Sequence, residues 1–327
     1  IQTGNNGLFV RLWFEVSIKK LNTKWFPYMK GGQYRKWYGN QEHVVNWESN
    51  GTSIKAMKNS CIRGEENYFE KNISWSDVTS GHLSARYTQP GSLFDAAGPS
   101  AFFESEDDLF LTLGMLNTSL INEWSKVLNP TLHFQSGDFR NLPLPKAYFC
   151  QKNIDMVKRL CKISKEDWDS SEISLDFKKH HLLTKGELSF VFQNYLEQSE
   201  ALANEMQSLE YDNETSLVSA FDISLKVSEP PLARITLNSN LNYRYGKYNL
   251  DRFKSDNMIS ILSYSVGCMM GRYSLDQEGL VYAHAGNEGF DASLYQTFAA
   301  DSDGIIPITD EEWFKDDVSN RVVEFVK

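Results

Sequence analysis

The run Leu142-Pro143-Leu144-Pro145 constrains the fold of this chain most, because each proline ends regular structure and forces the residue before it toward extended geometry. Before this run, residues 1–103 alternate short apolar runs with glycine, asparagine and serine clusters, which is typical of strands joined by loops. After it, good helix formers dominate, above all in residues 187–209. The sequence therefore predicts an α+β protein, with a mixed α/β domain over residues 1–148 and a mainly helical domain over residues 149–327.

Two capping boxes mark the helix starts that are easiest to predict. Ser105 with Asp108 precedes an apolar period of three to four residues, which predicts a helix that ends before Pro130. Ser164 with Asp167 has the same pattern and predicts a second helix start. Both helices would follow the strand-rich region.

The charge of the chain is unevenly distributed. The net charge is −10, which by itself argues against a nucleic-acid partner. However, residues 1–90 contain 12 Lys and Arg against 7 Asp and Glu, whereas the remainder contains 21 against 36. Attraction to phosphate is local, so a basic first part can bind DNA although the whole molecule is acidic. The acidic remainder would support that part or contact another protein.

The cysteines and the hydropathy pattern indicate the compartment. Cys61, Cys150, Cys161 and Cys268 are widely spaced, which favours reduced thiols over a disulfide framework or a zinc site. We find neither a leader-like segment nor an apolar run of membrane-spanning length. These observations predict a cytoplasmic protein without membrane association.

Residues 24–40 carry the strongest indication of ligand binding. Four cations alternate there with six aromatic side chains, around Gly31 and Gly32. Cations contact phosphates, rings stack on bases, and glycines let the backbone approach a ligand closely. The alternative is that the rings belong to the core and the cations flank them. We favour binding for the segment as a whole. The expected DNA contacts are Lys24, Tyr28, Lys30, Arg35, Lys36, Trp37 and Tyr38.

A second group of expected contacts lies on neighbouring loops. Small hydroxyls and one arginine follow Trp75, and arginine is the usual reader of guanine. A purely structural turn is an equally good interpretation of this cluster. Asn5 belongs to a third and weaker group near the N-terminus. The residues expected to read base edges are Asn5, Trp75, Ser76, Thr79 and Arg86.

Together these strings resemble the recognition region of the PglX methyltransferases of type 1 BREX phage-defence systems. The similarity includes Thr3-Gly4-Asn5, Lys24-Trp25-Phe26-Pro27 and Arg35-Lys36-Trp37-Tyr38-Gly39-Asn40. It continues through Leu128-Asn129-Pro130-Thr131-Leu132 and Gly271-Arg272-Tyr273-Ser274-Leu275-Asp276. Only residues 187–245 lack a confident counterpart. The region from Leu113 to Pro145 also resembles target-recognition domains of type I specificity subunits.

The resemblance implies a role in DNA methylation. Such enzymes have an N-terminal domain that binds S-adenosylmethionine and methylates the N6 amino group of adenine in a short asymmetric site. That domain is expected to be missing here, so residues 1–148 would be a DNA target-recognition domain. The implied partners are double-stranded DNA, the protein's own N-terminal methyltransferase domain and other phage-defence proteins.

The chain itself offers no convincing catalytic motif. Methyl transfer to adenine needs an Asn/Asp-Pro-Pro-aromatic motif that holds the flipped base. Glu229-Pro230-Pro231-Leu232 comes nearest, but glutamate replaces the first residue and leucine cannot stack on a base. The adjacent His180 and His181 suit no metal motif. We therefore expect no catalytic residue, metal or cofactor in this chain, and whether it acts as an enzyme stays undecided.

Two other functions compete with DNA recognition. The first is a docking module for other defence proteins, in which the acidic remainder makes the contacts and DNA binding is minor. The second is a carbohydrate-binding module built on exposed aromatic rings. Weak dependence on salt would separate sugar binding from DNA binding.

Overall fold

The computed structural model describes residues 1–78, 81–282, 289–311 and 313–327. Its strands are β1 (Val10–Leu12), β2 (Trp25–Met29), β3 (His43–Asn46), β4 (Asn72–Trp75), β5 (Ala85–Thr88), β6 (Leu93–Phe94) and β7 (Ser100–Ala101). Its α-helices are α1 (Asn6–Phe9), α2 (Glu48–Lys55), α3 (Glu106–Leu116), α4 (Ser119–Leu128), α5 (Ser136–Arg140), α6 (Gln151–Asp169), α7 (Leu188–Ala220), α8 (Leu241–Tyr245), α9 (Leu250–Met269) and α10 (Val318–Val326). The predicted α+β class, with a helical C-terminal part, is confirmed.

The strands form two small sheets. One has the order β1-β3-β2-β6, in which β2 and β6 run parallel and the other pairs are antiparallel. The other has the order β5-β4-β7 and is antiparallel throughout. In the first sheet Phe26 pairs with Val45, and both pack with Phe9, Tyr28 and Trp47 in one apolar cluster. Alternation along the strands thus gives this sheet a buried face.

Helices α3, α6 and α7 pack on one another, and α3 also packs on β4 and β5. Their shared apolar cluster includes Leu109 and Leu113 of α3, Val157 and Leu160 of α6, and Met206 of α7. Burial of this many aliphatic side chains supplies the main driving force for joining the helices to the second sheet. Buried side chains from both sides of residue 148 therefore share one core, and the division into two domains there stays a prediction.

Gly114 allows the close approach of α3 to its neighbours. A Cβ atom at this position would meet the Tyr148 hydroxyl and would lie 2.6 Å from a methyl group of Val157. A buried network occupies this point instead. The Tyr148 hydroxyl donates to Asn213 Oδ1 at 2.5 Å, and Asn213 Nδ2 donates to the Gly114 carbonyl at 2.9 Å. Each buried polar group is thus paired, as burial requires.

The helix boundaries correct two expectations. Ser105 does cap α3, since its hydroxyl accepts from the Asp108 amide at 3.4 Å, but the expected single helix is divided near Asn117. There the side chain of Asn117 makes two bonds with the backbone of Ala85, of 2.8 and 3.0 Å. The expected helix start at Ser164 is wrong: α6 begins at Gln151 and buries Ser164 in its interior. The buried apolar side chains of α6 begin at Ile154, well before Ser164. Packing of these side chains therefore favours a helix that starts before them.

Within the described residues, no helix combines the length and apolarity needed to cross a membrane.

Candidate nucleic-acid interface

The last part of the cation-rich segment, from Arg35 to Gly39, lies inside the protein. We call residues 33–40 the joint segment, because they contact β5, α6, α7 and the loop of residues 235–240. The Lys36 ammonium lies 2.7 Å from Glu210 Oε2, and the side chains of this pair are 10% and 4% exposed. Trp37 Nε1 donates to Glu210 Oε1, also at 2.7 Å. One carboxylate of α7 therefore satisfies two neighbouring side chains of the joint segment.

The charge of Lys36 is held by its partner. Burial by itself would lower the pKa of the ammonium group, but the Glu210 carboxylate outweighs burial and raises the pKa above its usual value. Lys36 therefore remains a cation, and Glu210 compensates its charge. Its backbone amide is held as well, since it donates to the Thr236 hydroxyl at 3.1 Å.

Arg35 is committed to the protein interior in a similar way. Its guanidinium group lies 3.6 Å from Asp167 Oδ2, with both side chains 4% exposed, and it also donates to Asn238 Oδ1. The guanidinium plane lies over the ring of Trp168, 5.0 Å from the ring centroid. Asp167 in turn accepts from the backbone amides of Asn238 and Ser239, at 2.6 and 2.9 Å. Arg35 and Asp167 thus connect the joint segment to α6 and to the loop of residues 235–240.

The backbone of the joint segment is fixed in an unusual conformation. Trp37 has a φ of 69°, which bulky residues rarely adopt, and the position is held by bonds to β5. The Trp37 amide donates to the Ala85 carbonyl at 2.9 Å, and the Tyr87 amide donates to the Trp37 carbonyl at 2.8 Å. Gly39 has a φ of 120°, and a Cβ atom there would lie 2.9 Å from the Trp168 ring. These close contacts make the segment a rigid joint.

Three other expected contacts are also internal. The Tyr28 hydroxyl donates to the Ile1 carbonyl at 2.8 Å, and Trp75 Nε1 donates to the Phe134 carbonyl at 2.7 Å. Arg86 Nη1 donates to the Arg35 carbonyl at 3.2 Å. Burial and repulsion from Arg35 lower the pKa of Arg86 to about 10.

A large part of the expected DNA contacts is thus buried. The side chains that are buried and bonded internally are Tyr28, Arg35, Lys36, Trp37, Tyr38, Trp75 and Arg86. In this structure they cannot reach a DNA duplex from the surface. The contacts described above assign them a different task, which is to hold the loops around them in place.

Four other expected contacts are accessible. Asn5 is exposed and caps α1, accepting from the Leu8 amide at 3.2 Å. The Lys24 ammonium lies 3.0 Å from Glu48. Lys30 is half-buried and makes no ion pair within the described part of the chain. Ser76 is half-buried, and its hydroxyl donates to the Gly32 carbonyl at 2.9 Å. Thr79 lies outside the described residues.

Two loops meet at a small polar cavity, which we call the loop pocket. Its volume is about 290 Å³, and it is lined by residues 32–34 from one loop and by Ser76, Val78 and residues 81, 82 and 84 from the other. Gly31 permits this meeting, because its φ is 80° and a Cβ atom there would lie 2.8 Å from the Ala97 carbonyl oxygen. The lining of the loop pocket therefore contains backbone groups and small hydroxyls.

The electrostatic surroundings of the loop pocket are positive. Burial lowers the pKa of His82, and the nearby cations Arg234, Lys126 and Lys36 lower it further. Lys126 is paired with Glu123 at 2.7 Å, and Lys36 with Glu210. Arg234 is exposed and makes no ion pair within the described residues, so its charge is available to an anion at the pocket.

Of the expected contacts named from the sequence, Ser76 lines this pocket. Gln33 and Tyr34 belong to the cation-rich segment and follow its two glycines, and Gln33 is exposed, so their position beside a glycine turn was the signal that could have identified them. His82 belongs to the loop cluster that follows Trp75, whereas Arg234 could not have been found in this way. Arg234 comes from an irregular stretch more than 150 residues away along the chain, and only the fold brings it near His82.

The adjacent histidines lie in a different and larger cleft. Their rings stack at 4.4 Å between centroids, and His181 also stacks on Tyr195 at 4.0 Å. Burial and the neighbouring His181 lower the pKa of His180 to about 3, and burial lowers the pKa of His181 as well. Both rings are therefore neutral near pH 7.

This arrangement predicts a loss of stability in mild acid. The folded-state pKa of His180 is depressed, so below about pH 6.5 the unfolded chain binds the proton first, and unfolding is favoured by about 1.4 kcal/mol per pH unit. The stabilisation is thus present above the unfolded-state pKa and is lost as the pH falls towards the folded-state value. Urea unfolding at pH 7 and pH 5 measures this slope. His180→Asn should reduce it. Equal slopes for the variant and the unaltered protein would contradict the assignment.

The motif-like Glu229-Pro230-Pro231-Leu232 lies in an irregular stretch, where the Pro230 carbonyl accepts from Gln207 Nε2 at 2.8 Å. Among the described residues, no cluster of three or more His, Cys, Asp or Glu side chains is arranged to hold a metal ion.

Comparison with known proteins gives two clear relatives. The adenine-specific methyltransferase BrxX of Escherichia coli O9:H4 (strain HS) is 40% identical over 343 aligned residues. The adenine-specific methyltransferase PglX of Lacticaseibacillus casei (strain Zhang) is 35% identical over 352 aligned residues. Each match covers 99% of this chain and 28% of the relative. No family model matches the chain.

These matches confirm the resemblance drawn from the sequence motifs. The aligned region also spans residues 187–245, where the motifs alone gave no match, since it covers 99% of the chain. The chain spans little more than a quarter of the length of both relatives, so their full activity cannot be assigned to it directly. The chain is thus related, over nearly its whole length, to one segment of the PglX-type adenine-specific methyltransferases.

Proposed function

We propose that this chain recognises double-stranded DNA in a sequence-specific way for an adenine-N6 methyltransferase of a phage-defence system. The observation that carries the proposal is the loop pocket, in which backbone groups, hydroxyls and an amide from two loops converge, with the charge of Arg234 acting on His82 in its lining. The relatives are named as adenine-specific methyltransferases, and the choice of DNA as the ligand comes from the resemblance to the PglX family. In this proposal, S-adenosylmethionine binding and methyl transfer belong to a separate methyltransferase domain.

Exposure and ion pairing indicate which residues of the proposed interface would contact phosphates and which would contact bases. Lys30 and Arg234 are cations without an ion pair in the described structure, so they would contact phosphates. Gln33 and Ser76 carry amide and hydroxyl groups beside the pocket and would contact base edges. Asn5, Lys24 and Thr79 stay in the proposal as additional contacts. The buried joint segment would position these groups without contacting the DNA itself.

Charge reversal at the two unpaired cations tests the proposal. We expect Lys30→Glu combined with Arg234→Glu to weaken binding to labelled duplex DNA by about tenfold or more at low salt, and to reduce the salt slope by about 2. Fluorescence anisotropy measures both quantities. Lys185→Glu combined with Lys247→Glu, at two exposed cations outside the loop pocket, makes the same change in charge and should change affinity much less. Equal affinity of the two double variants would remove Lys30 and Arg234 from the interface.

A specific observation supports the alternative of a protein-docking module. Large apolar side chains near the C-terminus are exposed, including Ile308 at 83% and Trp313 at 70%. Exposed apolar groups of this size are typical of protein contacts. If docking is the main role, Ile308→Asp with Trp313→Asp should abolish assembly with other defence proteins. Loss of assembly in the double-aspartate variant, together with no DNA binding by the unaltered chain, would favour docking over DNA recognition.

A further inference from the structure

A large cleft separates the joint segment from the C-terminal helices, and Gln33 is the one proposed DNA contact among its described lining residues. We call it the aromatic cleft. It has a volume of about 980 Å³, which lies within the usual size range of small-molecule sites. Gln33 and Tyr34 line both this cleft and the loop pocket, so the two cavities share a wall.

Stacked rings form one side of the aromatic cleft. The ring of His181 lies between those of His180 and Tyr195, with interplanar angles of 24° and 23°. Tyr195 continues the stack onto Phe253 with an interplanar angle of 10°. Hydrogen bonds fix the imidazoles, because His180 Nε2 lies 2.8 Å from the Ser260 hydroxyl and His181 Nε2 lies 2.7 Å from Asn257 Oδ1. The cleft therefore presents a rigid aromatic wall.

The charged side chains that line the cleft are two arginines and two glutamates, Glu42 and Glu172. Its two arginines are already paired, Arg35 with Asp167 and Arg244 with Asp256. The histidines are neutral near pH 7, and burial raises the pKa of Glu172. Among its described lining residues, the cleft thus has no unpaired cation to hold a phosphate or carboxylate. An uncharged ligand suits these walls better than an anion.

Polar groups that can recognise such a ligand remain unoccupied. Within the described structure, the Gln33 amide and the Ser171 hydroxyl make no hydrogen bond with the protein. The side-chain nitrogen Nδ2 of Asn238 is likewise unbonded in the described structure, since Arg35 engages only the side-chain oxygen. Two amides and a hydroxyl offer both donors and acceptors beside the rings, which is the complement of a heteroaromatic ring with mixed polar edges.

We infer that the aromatic cleft binds an uncharged planar heteroaromatic ring with hydrogen-bonding edges, and that this ring is a nucleobase. The ring would lie against the edges of the stacked aromatic side chains, and its own polar edge would meet the side chains of Gln33, Ser171 and Asn238. The choice of a nucleobase rests on the proposed function, but the binding of free nucleosides is measured without DNA. The two proposals can therefore fail separately.

The test uses isothermal titration of the chain with adenosine, guanosine, cytidine and thymidine, and with their 5′-monophosphates. At least one nucleoside should bind saturably. Its monophosphate should bind no more than about threefold more tightly, because both arginines in the described lining of the cleft are already paired with carboxylates. Ser171→Trp should fill the cleft and weaken binding at least about tenfold, whereas Ser208→Trp, on the exposed surface of α7, should not. Gln33→Ala tests the exposed amide without a change in packing and should weaken binding about fivefold.

The inference would be overturned by the absence of saturable nucleoside binding, by equal binding in Ser171→Trp and Ser208→Trp, or by a monophosphate that binds at least about tenfold more tightly. A second arm identifies the source of the base, with duplexes that carry 2-aminopurine at successive positions. A fluorescence increase that Ser171→Trp abolishes supports a base presented by DNA. No increase, with nucleoside binding retained, supports a free nucleoside as the occupant.

Discussion

The Glu210→Gln variant should lose about 3–5 kcal/mol of unfolding free energy, the cost of leaving a buried charge without its partner. The substitution keeps the shape of the side chain and an oxygen that can accept from Trp37 Nε1. What it removes is the negative charge 2.7 Å from the Lys36 ammonium, in a pair whose side chains are 10% and 4% exposed. Urea unfolding followed by circular dichroism measures the loss.

Two comparisons separate this effect from a general loss of packing. Glu205→Gln changes the same residue type in the same helix, where Glu205 pairs with Arg159 and both side chains are nearly 40% exposed. Its cost should stay below about 1 kcal/mol, because water screens the exposed pair. The double variant Lys36→Met, Glu210→Gln removes both charges and should regain part of the stability. Similar losses for Glu210→Gln and Glu205→Gln would show that the buried pair does not stabilise the joint segment.

Asp167→Asn should destabilise the protein by about 2–4 kcal/mol for a related reason. One Asp167 oxygen accepts from the Ser239 amide and hydroxyl, at 2.9 and 2.7 Å. The other accepts from the Asn238 amide at 2.6 Å and lies 3.6 Å from Arg35. In the asparagine variant, the side-chain NH2 group would point at one of these hydrogen-bond donors instead of accepting from it. Arg35 would also lose the negative charge that neutralises it. Thermal unfolding at constant pH measures the effect.

The neighbouring residue in α6 provides the control for Asp167. Glu166 is exposed and lies 3.8 Å from Lys162, so Glu166→Gln should cost less than about 0.5 kcal/mol. If the two variants unfolded at the same temperature, the connection between the joint segment, α6 and the loop of residues 235–240 would contribute nothing measurable.

Local sequence patterns predicted those parts of the structure that depend on neighbouring residues. The α+β class followed from the change in apolar period along the chain, and the cap at Ser105 followed from its spacing to Asp108. The family could be identified because its motifs are short contiguous strings that survive without any knowledge of the fold. Each of these features is encoded within a few residues.

The positions of the cations could not be predicted in the same way. Arg35 and Lys36 look like surface cations in the sequence because the carboxylates that neutralise them, Asp167 and Glu210, are far away along the chain. Lys36 and Glu210, for example, are 174 positions apart. The positive φ of Trp37 is equally invisible, since tertiary contacts with β5 impose it. The pattern of alternating cations and rings is therefore compatible with an internal joint as well as with a binding surface.

The proposed interface consequently depends on a few exposed groups rather than on the whole segment. Lys30 and Arg234 supply unpaired charge, and the loop pocket supplies polar edges. The joint segment holds these loops through Arg35, Lys36 and Trp37, so its contribution to recognition would be indirect. Variants of the joint segment should therefore act on folding, whereas variants of the loop pocket should act on DNA affinity.

The most direct measurement is the fluorescence anisotropy of labelled duplex DNA titrated with this chain from about 50 to 200 mM salt. DNA recognition predicts saturable binding. The logarithm of the binding constant should fall linearly with the logarithm of the salt concentration, and the slope reports the number of phosphate contacts. It also predicts that one duplex sequence competes better than others at equal length. Absence of binding at the lowest salt, or binding that does not change with salt, would contradict the account.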